Sequence, residues 1–299
     1  VRRLFLLAFI WGWSFLFIKV AVGGMTPPTV AAIRVGLGAV VLLGVVRARR
    51  MALPSGWVWW RHFAVVAVAG SALPFTLLAW GEEHVSSALT AVLNASTPLF
   101  AAALAGLLVR ERLRPLQLGG LVLGFVGVAV AAGLGGRDLA ASSRWGEAAS
   151  VAAAACYALA FTYTRRYLSV LPPLVGATGQ LVTAAVLLLP AAVATSVRNG
   201  FDLTPRRALA VGLLGVLGTG FAYTLSYRLI ADVGPTRAAV VTYLIPVVAV
   251  TVGAVFLHER FSLRLVMGGV LIVAGIVVLG SGGRARAAPP SDPMATPHA

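Results

Sequence analysis

The chain has 299 residues, of which 11% are charged and 59% hydrophobic, and its mean hydropathy is +0.92. A soluble domain carries about 25% charged residues, so a surface facing only water is excluded and the solvent for most of the chain is lipid. The net charge of +15 comes from 23 arginines and one lysine, set mostly in short loops with no basic tract interleaved with aromatics, which excludes a nucleic-acid interface.

Apolar runs of roughly 20 residues are the length of a membrane-spanning helix. Ten such runs predict ten transmembrane helices, and Lys19 and Arg34 are the cations well inside them. The first, 4–22, follows Arg2-Arg3 and holds Trp13 and Lys19; its apolar stretch is too long for a signal peptide, so it reads as a retained helix. The second, 28–46, begins at Pro27-Pro28 and holds Arg34. The third, 63–80, follows Trp57, Trp59 and Trp60, which suit an interfacial aromatic belt, and ends in Glu82-Glu83-His84. The fourth, 86–109, places Thr90, Asn94 and Thr97 on one helical face ahead of Pro98. The fifth, 115–134, is marked by glycines and closes a first unit, 1–134.

A linker, 135–146, leads to a second unit, 147–281. Its first run, 148–164, holds Tyr157 and the lone Cys156, which excludes an intramolecular disulfide or a cysteine metal cluster. Gln180 and Thr183 lie on 173–195, and Tyr223 and Tyr227 follow a glycine run on 208–227. Thr242 and Pro246 lie on 236–257, the last run is 264–281, and a Pro- and Ala-rich tail, 282–299, reads as disordered and cytoplasmic.

Arginine placement sets the orientation. With the N-terminus inside, inner loops hold 15 arginines and outer loops 7, so both termini are expected in the cytoplasm of a cell (inner) membrane. The stretch 85–130 also lies over 233–278 without a gap at a shift of 148, with 12 identities in 46 positions. Pro98 falls on Pro246, Glu111-Arg112 on Glu259-Arg260, Gly120 on Gly268 and Gly127 on Gly275. A weaker match at a shift of 146 carries Trp11-Gly12 and Lys19 onto Tyr157-Ala158 and Arg165. Five helices per unit is an odd number, so the two units enter the membrane from opposite sides. The expected fold is all-α, ten transmembrane helices as two inverted five-helix repeats.

Trp11-Gly12-Trp13-Ser14-Phe15 running to Lys19, Pro27-Pro28 with Arg34, and the doubled Pro…Glu-Arg ending resemble the EamA-like family of the drug/metabolite transporter superfamily. The resemblance implies a ten-helix inverted-repeat carrier of small metabolites, often an exporter, with a cavity between its halves. It does not name a cargo.

Few charges and abundant Trp and Tyr favour neutral, zwitterionic or partly apolar cargo, and with the resemblance the expected function is an exporter of amino-acid-like or other neutral or zwitterionic compounds. The candidate substrate-binding residues are Trp13, Arg34, Thr90, Asn94, Tyr157, Gln180, Tyr223 and Thr242, with Pro98 and Pro246 as hinges. Polar groups inside a bilayer are costly and must face protein or water, so each has a competing use in holding helices together. For Gln180 that use is the stronger reading. Arg34 suits a carboxylate or phosphate, or else snorkels or caps a helix; Lys19 reads as structural, and the Glu-Arg pairs as helix-end anchors.

No carboxylate lies mid-span, so facilitated transport or exchange is expected rather than proton antiport. No cofactor is expected. The partners are a small-molecule substrate and the lipid bilayer, and the state is monomer or homodimer. An importer or a lipid-linked sugar flippase of the same fold is the alternative. An intramembrane enzyme is remote, since His258-Glu259 lacks a second histidine and Gly12-Trp13-Ser14 lacks the glycine of a nucleophile elbow.

Overall fold

A computed structural model describes residues 2–108, 114–133, 144–233, 241–260 and 262–281. The first Glu-Arg pair (Glu111-Arg112), the linker core 134–143, the tail 282–299 and the side chain of Tyr227 lie outside the described residues. Those that are described form helices joined by short turns, with no strand among them. We label them α1 (Arg2–Val22), α2 (Pro27–Ala48), α3 (Trp57–His84), α4 (Ser87–Asn94), α5 (Thr97–Leu108), α6 (Pro115–Ala131), α7 (Arg144–Tyr167), α8 (Pro173–Asn199), α9 (205–233), α10 (Val241–Leu257) and α11 (Leu263–Ser281).

Local chemistry sets the boundaries. Proline occupies the first turn of α2, α6, α8 and α9, where its missing N–H costs nothing. Gly133 (φ 69°) and Gly200 (φ 84°) follow α6 and α8 in the left-handed region that ends a helix. The ten predicted apolar runs coincide with these helices over their described residues, the fourth being shared by α4 and α5. Among the described residues, seven helical segments are long and apolar enough to cross a membrane, including Trp57–His84, Ser87–Leu104 (across α4 and α5) and Pro205–Ile230; Pro115–Ala131 and Val241–Leu257 are apolar but shorter.

Pro98 does not kink a continuous helix. The helix breaks at Ala95-Ser96, and Pro98 sits in the first turn of α5. The break is satisfied by side chains: Ser96 Oγ donates to the Leu93 carbonyl (2.6 Å) and Thr97 Oγ1 to the Asn94 carbonyl (2.8 Å). Pro246, by contrast, lies inside the continuous α10.

Two further irregularities are spaced by the sequence repeat. α3 carries a π-helical turn at Val68–Ala72, and α9 carries one at Val216–Phe221. The same shift of 148 residues that carries Val85 onto Val233 carries Val68 onto Val216. π-Turns are rare and frequent at functional sites, so two at equivalent positions mark both as built features.

Glycines set the closest helix contact, between α6 and α11. A Cβ added to Gly120 would lie 2.8 Å from the Gly275 carbonyl, and one added to Gly127 would lie 2.8 Å from the Gly268 carbonyl. Gly120 and Gly127 are the repeat mates of Gly268 and Gly275. As one helix is followed from 120 to 127, its partner is followed from 275 to 268, so the two run antiparallel and each residue meets the other's mate. α2 and α8 pair in the same sense, with Thr29 at Ala192 and Ser196 and Gly38 at Leu181.

Candidate functional site

The π-turns carry the polar centre of the bundle. Arg34 on α2 is 7% exposed, and its Nε donates to Thr219 Oγ1 in the π-turn of α9 (3.0 Å). Gln180 on α8 donates from Nε2 to Ser71 Oγ in the π-turn of α3 (2.8 Å). Ser71 and Thr219 are mates at the shift of 148, and Arg34 and Gln180 at 146. The two bonds are therefore one contact used twice, each joining the second run of one unit to the third run of the other. A glycine allows each approach: a Cβ on Gly70 would lie 2.7 Å from Gln180 Nε2, and one on Gly38 of α2 2.6 Å from Thr219 Cγ2.

Aromatic rings surround the guanidinium. Phe75, one helical turn beyond Ser71, places its ring centroid 3.7 Å from Arg34 Cζ, a cation–π contact in a desolvated setting. Tyr157 packs edge-on to Phe75 at 6.2 Å. Tyr157 and Tyr223 both lie near Arg34, and Tyr223 also lies near Ser71. Among the described residues, neither ion pair, Arg3 with Asp232 or Arg207 with Asp202, involves Arg34. A buried cation held by a ring and a hydroxyl, in no ion pair, suits an anionic group arriving from outside the protein.

Arg34, Tyr157, Gln180 and Tyr223 are thus brought together from four helices. The other candidates lie elsewhere. Trp13 packs with Phe9, Phe17 and Phe256. Thr90 on α4 is buried and Asn94 half-buried, near the contact of Phe15, Ala91 and Ala249 that joins α1, α4 and α10. Trp13 Nε1, Thr90 Oγ1 and Asn94 Oδ1 are buried without a partner among the described residues. Such orphaned groups are rare in native interiors and call for a ligand or water. Thr242 and Pro246 lie on α10, half-buried and buried.

Sequence reasoning missed Ser71, Phe75 and Thr219. The signal was present as Gly70-Ser71 and Gly218-Thr219, one pattern recurring at the repeat shift. Nothing in the sequence signalled that Glu82 is buried: it lies at a helix end, as expected, in the last turn of α3, yet it is 0% exposed, and neither carboxyl oxygen has a partner among the described residues. A helix-end position suggests solvent, but here the following turn is covered by α1 and by the residues after α10. Lys19 Nζ donates to the carbonyls of Glu82 and Val85 (2.8 Å for Val85), closing the C-terminus of α3. Glu259 accepts from Ser87 N (2.8 Å) and Ala88 N (3.1 Å), closing the N-terminus of α4.

The model of the EamA-like transporter family matches residues 3–133 and again 144–281. The chain is 22% identical to the uncharacterized transporter YoaV of Bacillus subtilis, over 89% of this chain and 91% of that protein. It is 28% identical to a probable terminal-alkyne amino-acid exporter of Streptantibioticus cattleyicolor, over 90% and 89%. A solved crystal structure superposes with a TM-score of 0.64 at 23% identity, covering 93% of this chain and 94% of that one; this likeness speaks for the fold alone.

Proposed function

Because the chain belongs to the EamA-like transporter family, we propose that it is a secondary carrier exporting amino-acid-like zwitterions by alternating access. In this reading its ten helices form two inverted five-helix repeats in the cytoplasmic membrane, with both termini inside. The antiparallel pairing of α6 with α11 through exchanged glycine mates supports the inversion, since repeats related by an axis along the membrane normal would run parallel. The arginine bias of the loops supports the orientation.

The observation that carries the reading is the doubled bond between units, Arg34 to Thr219 and Gln180 to Ser71, at two equivalent π-turns. Carrier sites sit where related halves meet and where helices are interrupted. Arg34 receives the cargo carboxylate, and Tyr157, Tyr223 and Phe75 supply apolar faces and hydroxyls for the remainder. The unpartnered groups of Trp13, Thr90 and Asn94 line the adjoining path, with Thr242 on its opposite wall and the break before Pro98 and the proline of α10 as bending points. Similarity to an amino-acid exporter favours the zwitterion over other small metabolites.

The test is counterflow of radiolabelled neutral amino acids in proteoliposomes, with cargo candidates chosen by comparing metabolites in the medium of overexpressing and deletion cells. Arg34→Gln is expected to weaken apparent affinity by tenfold or more, about 1.4 kcal/mol, for cargo with a free carboxylate and to leave esterified cargo unaffected. Equal loss for both forms, or no loss, overturns the assignment of Arg34 to the carboxylate.

A further inference from the structure

The turn between α3 and α4 is held from two sides. Lys19 of α1 binds the last carbonyls of α3, and Glu259, from the residues after α10, binds the first two amides of α4. Beneath this clamp lie the Glu82 carboxyl and Ser87 Oγ, both buried and both without a partner. The charged groups that face Glu82 are Lys19 from α1, Arg34 from α2 and Glu259 from beyond α10. α4 contributes only hydroxyls here, Ser87 and Thr90, and α7 meets the preceding Gly81 with Gly146 and Ser150. Glu83 and His84 on the same helix are exposed.

The two carboxyl groups have opposite surroundings. Glu259 accepts two backbone N–H bonds at a helix N-terminus, where negative charge is favoured. Glu82 has no donor among the described residues: Lys19 spends its hydrogen bonds on backbone carbonyls. An ionised carboxylate stripped of water and donors costs far more than a carboxylic acid in the same place, and adjacent carboxyls in unlike surroundings divide their protons unequally.

We propose that Glu82 is a proton-binding site coupled to this clamp: a proton from water adds to a Glu82 carboxyl oxygen as the turn closes and returns to water as it opens. The clamp joins both units, so its opening is a movement of one unit against the other, and each opening and closing carries one proton on and off the protein. This rests on the chain being a carrier with moving halves. It does not require the cargo to be known, and it replaces the expectation that the spans hold no proton carrier.

The test uses purified full-length protein carrying Ser87→Cys and Cys156→Ala, with Glu82 intact or as Glu82→Gln. The rate of labelling by a thiol reagent is measured against pH, and the ratio between the two proteins removes the thiol's own dependence. One proton predicts that this ratio rises by up to about tenfold per pH unit across the opening transition, with the Gln protein slow throughout. A ratio independent of pH overturns the proposal, as does fast labelling of both at every pH. If the cysteine variants fail to fold, hydrogen exchange of the Ser87 and Ala88 amides in wild type and Glu82→Gln gives the same ratio with the same two outcomes. Loss of amino-acid flux with the ratio intact would refute the cargo reading and leave the proton site standing.

Discussion

Arg34 is a buried cation that belongs to neither ion pair of the described residues, and that has a consequence for stability as well as for function. Replacing one member of a buried ion pair is costly because it strands the other charge. Removing Arg34 breaks no ion pair among the described residues, and Thr219 Oγ1 keeps a partner because it also donates to the Leu214 carbonyl. Arg34→Met should therefore fold as well as wild type, within about 1 kcal/mol or better, while transport is lost. Thermal unfolding in detergent beside flux in liposomes checks this; a large drop in melting temperature would make Arg34 a structural residue. Arg34 was legible in the sequence as a lone charge in an apolar run. Its hydroxyl partner was not, because Thr219 is one of many threonines until the π-turn, which no periodicity announces, turns it toward α2. Glu82 was half legible for the complementary reason: its position at a helix end was readable, but its burial was not, because the cover over that end comes from Lys19 and Glu259, distant in sequence.

The helices divide into those held by glycine contact and those left able to bend. At the α6–α11 crossing a Cβ on Gly275 would lie 2.5 Å from Gly124 N, and the obstacle is backbone, which cannot swing aside. Gly275→Val should cost about 1–3 kcal/mol through overpacking, whereas Gly280→Val, with no atom near its Cβ position, should cost little. Melting temperatures of the pair check the contrast, and equal effects would remove the seam. The α4–α5 break is the opposite case. Pro98→Ala restores an N–H and lets 87–108 run as one helix; the expected outcome is a higher melting temperature with slower turnover. Unchanged turnover would show that the break is not a bending point. The apolar runs that make these helices were readable from composition. The break was not: the sequence reads 86–109 as one run with a hinge at Pro98, because the hydroxyls of Ser96 and Thr97 that stabilise the break at Ala95-Ser96 act through the carbonyls of the preceding turn.

Taken as a whole, the molecule repeats its contacts across the two units: π-turn against π-turn, Arg34 and Gln180 each reaching a hydroxyl of the opposite unit, and glycine mates exchanged between α6 and α11. In the alternating-access reading proposed above, this arrangement has a use, since equivalent halves can exchange conformations and so open the space between them to either side. The inverted relation between units, on which this depends, is open to a direct check. Arg114→Cys and Arg260→Cys, each in a Cys156→Ala background, place exposed thiols beside the Pro…Glu-Arg endings of the first and second units. An impermeant thiol reagent applied to intact cells should label Cys at 260 and leave Cys at 114 unlabelled until the membrane is permeabilised. Labelling of both from outside, or protection of both, would mean that the two endings share a face and that the units are not inverted.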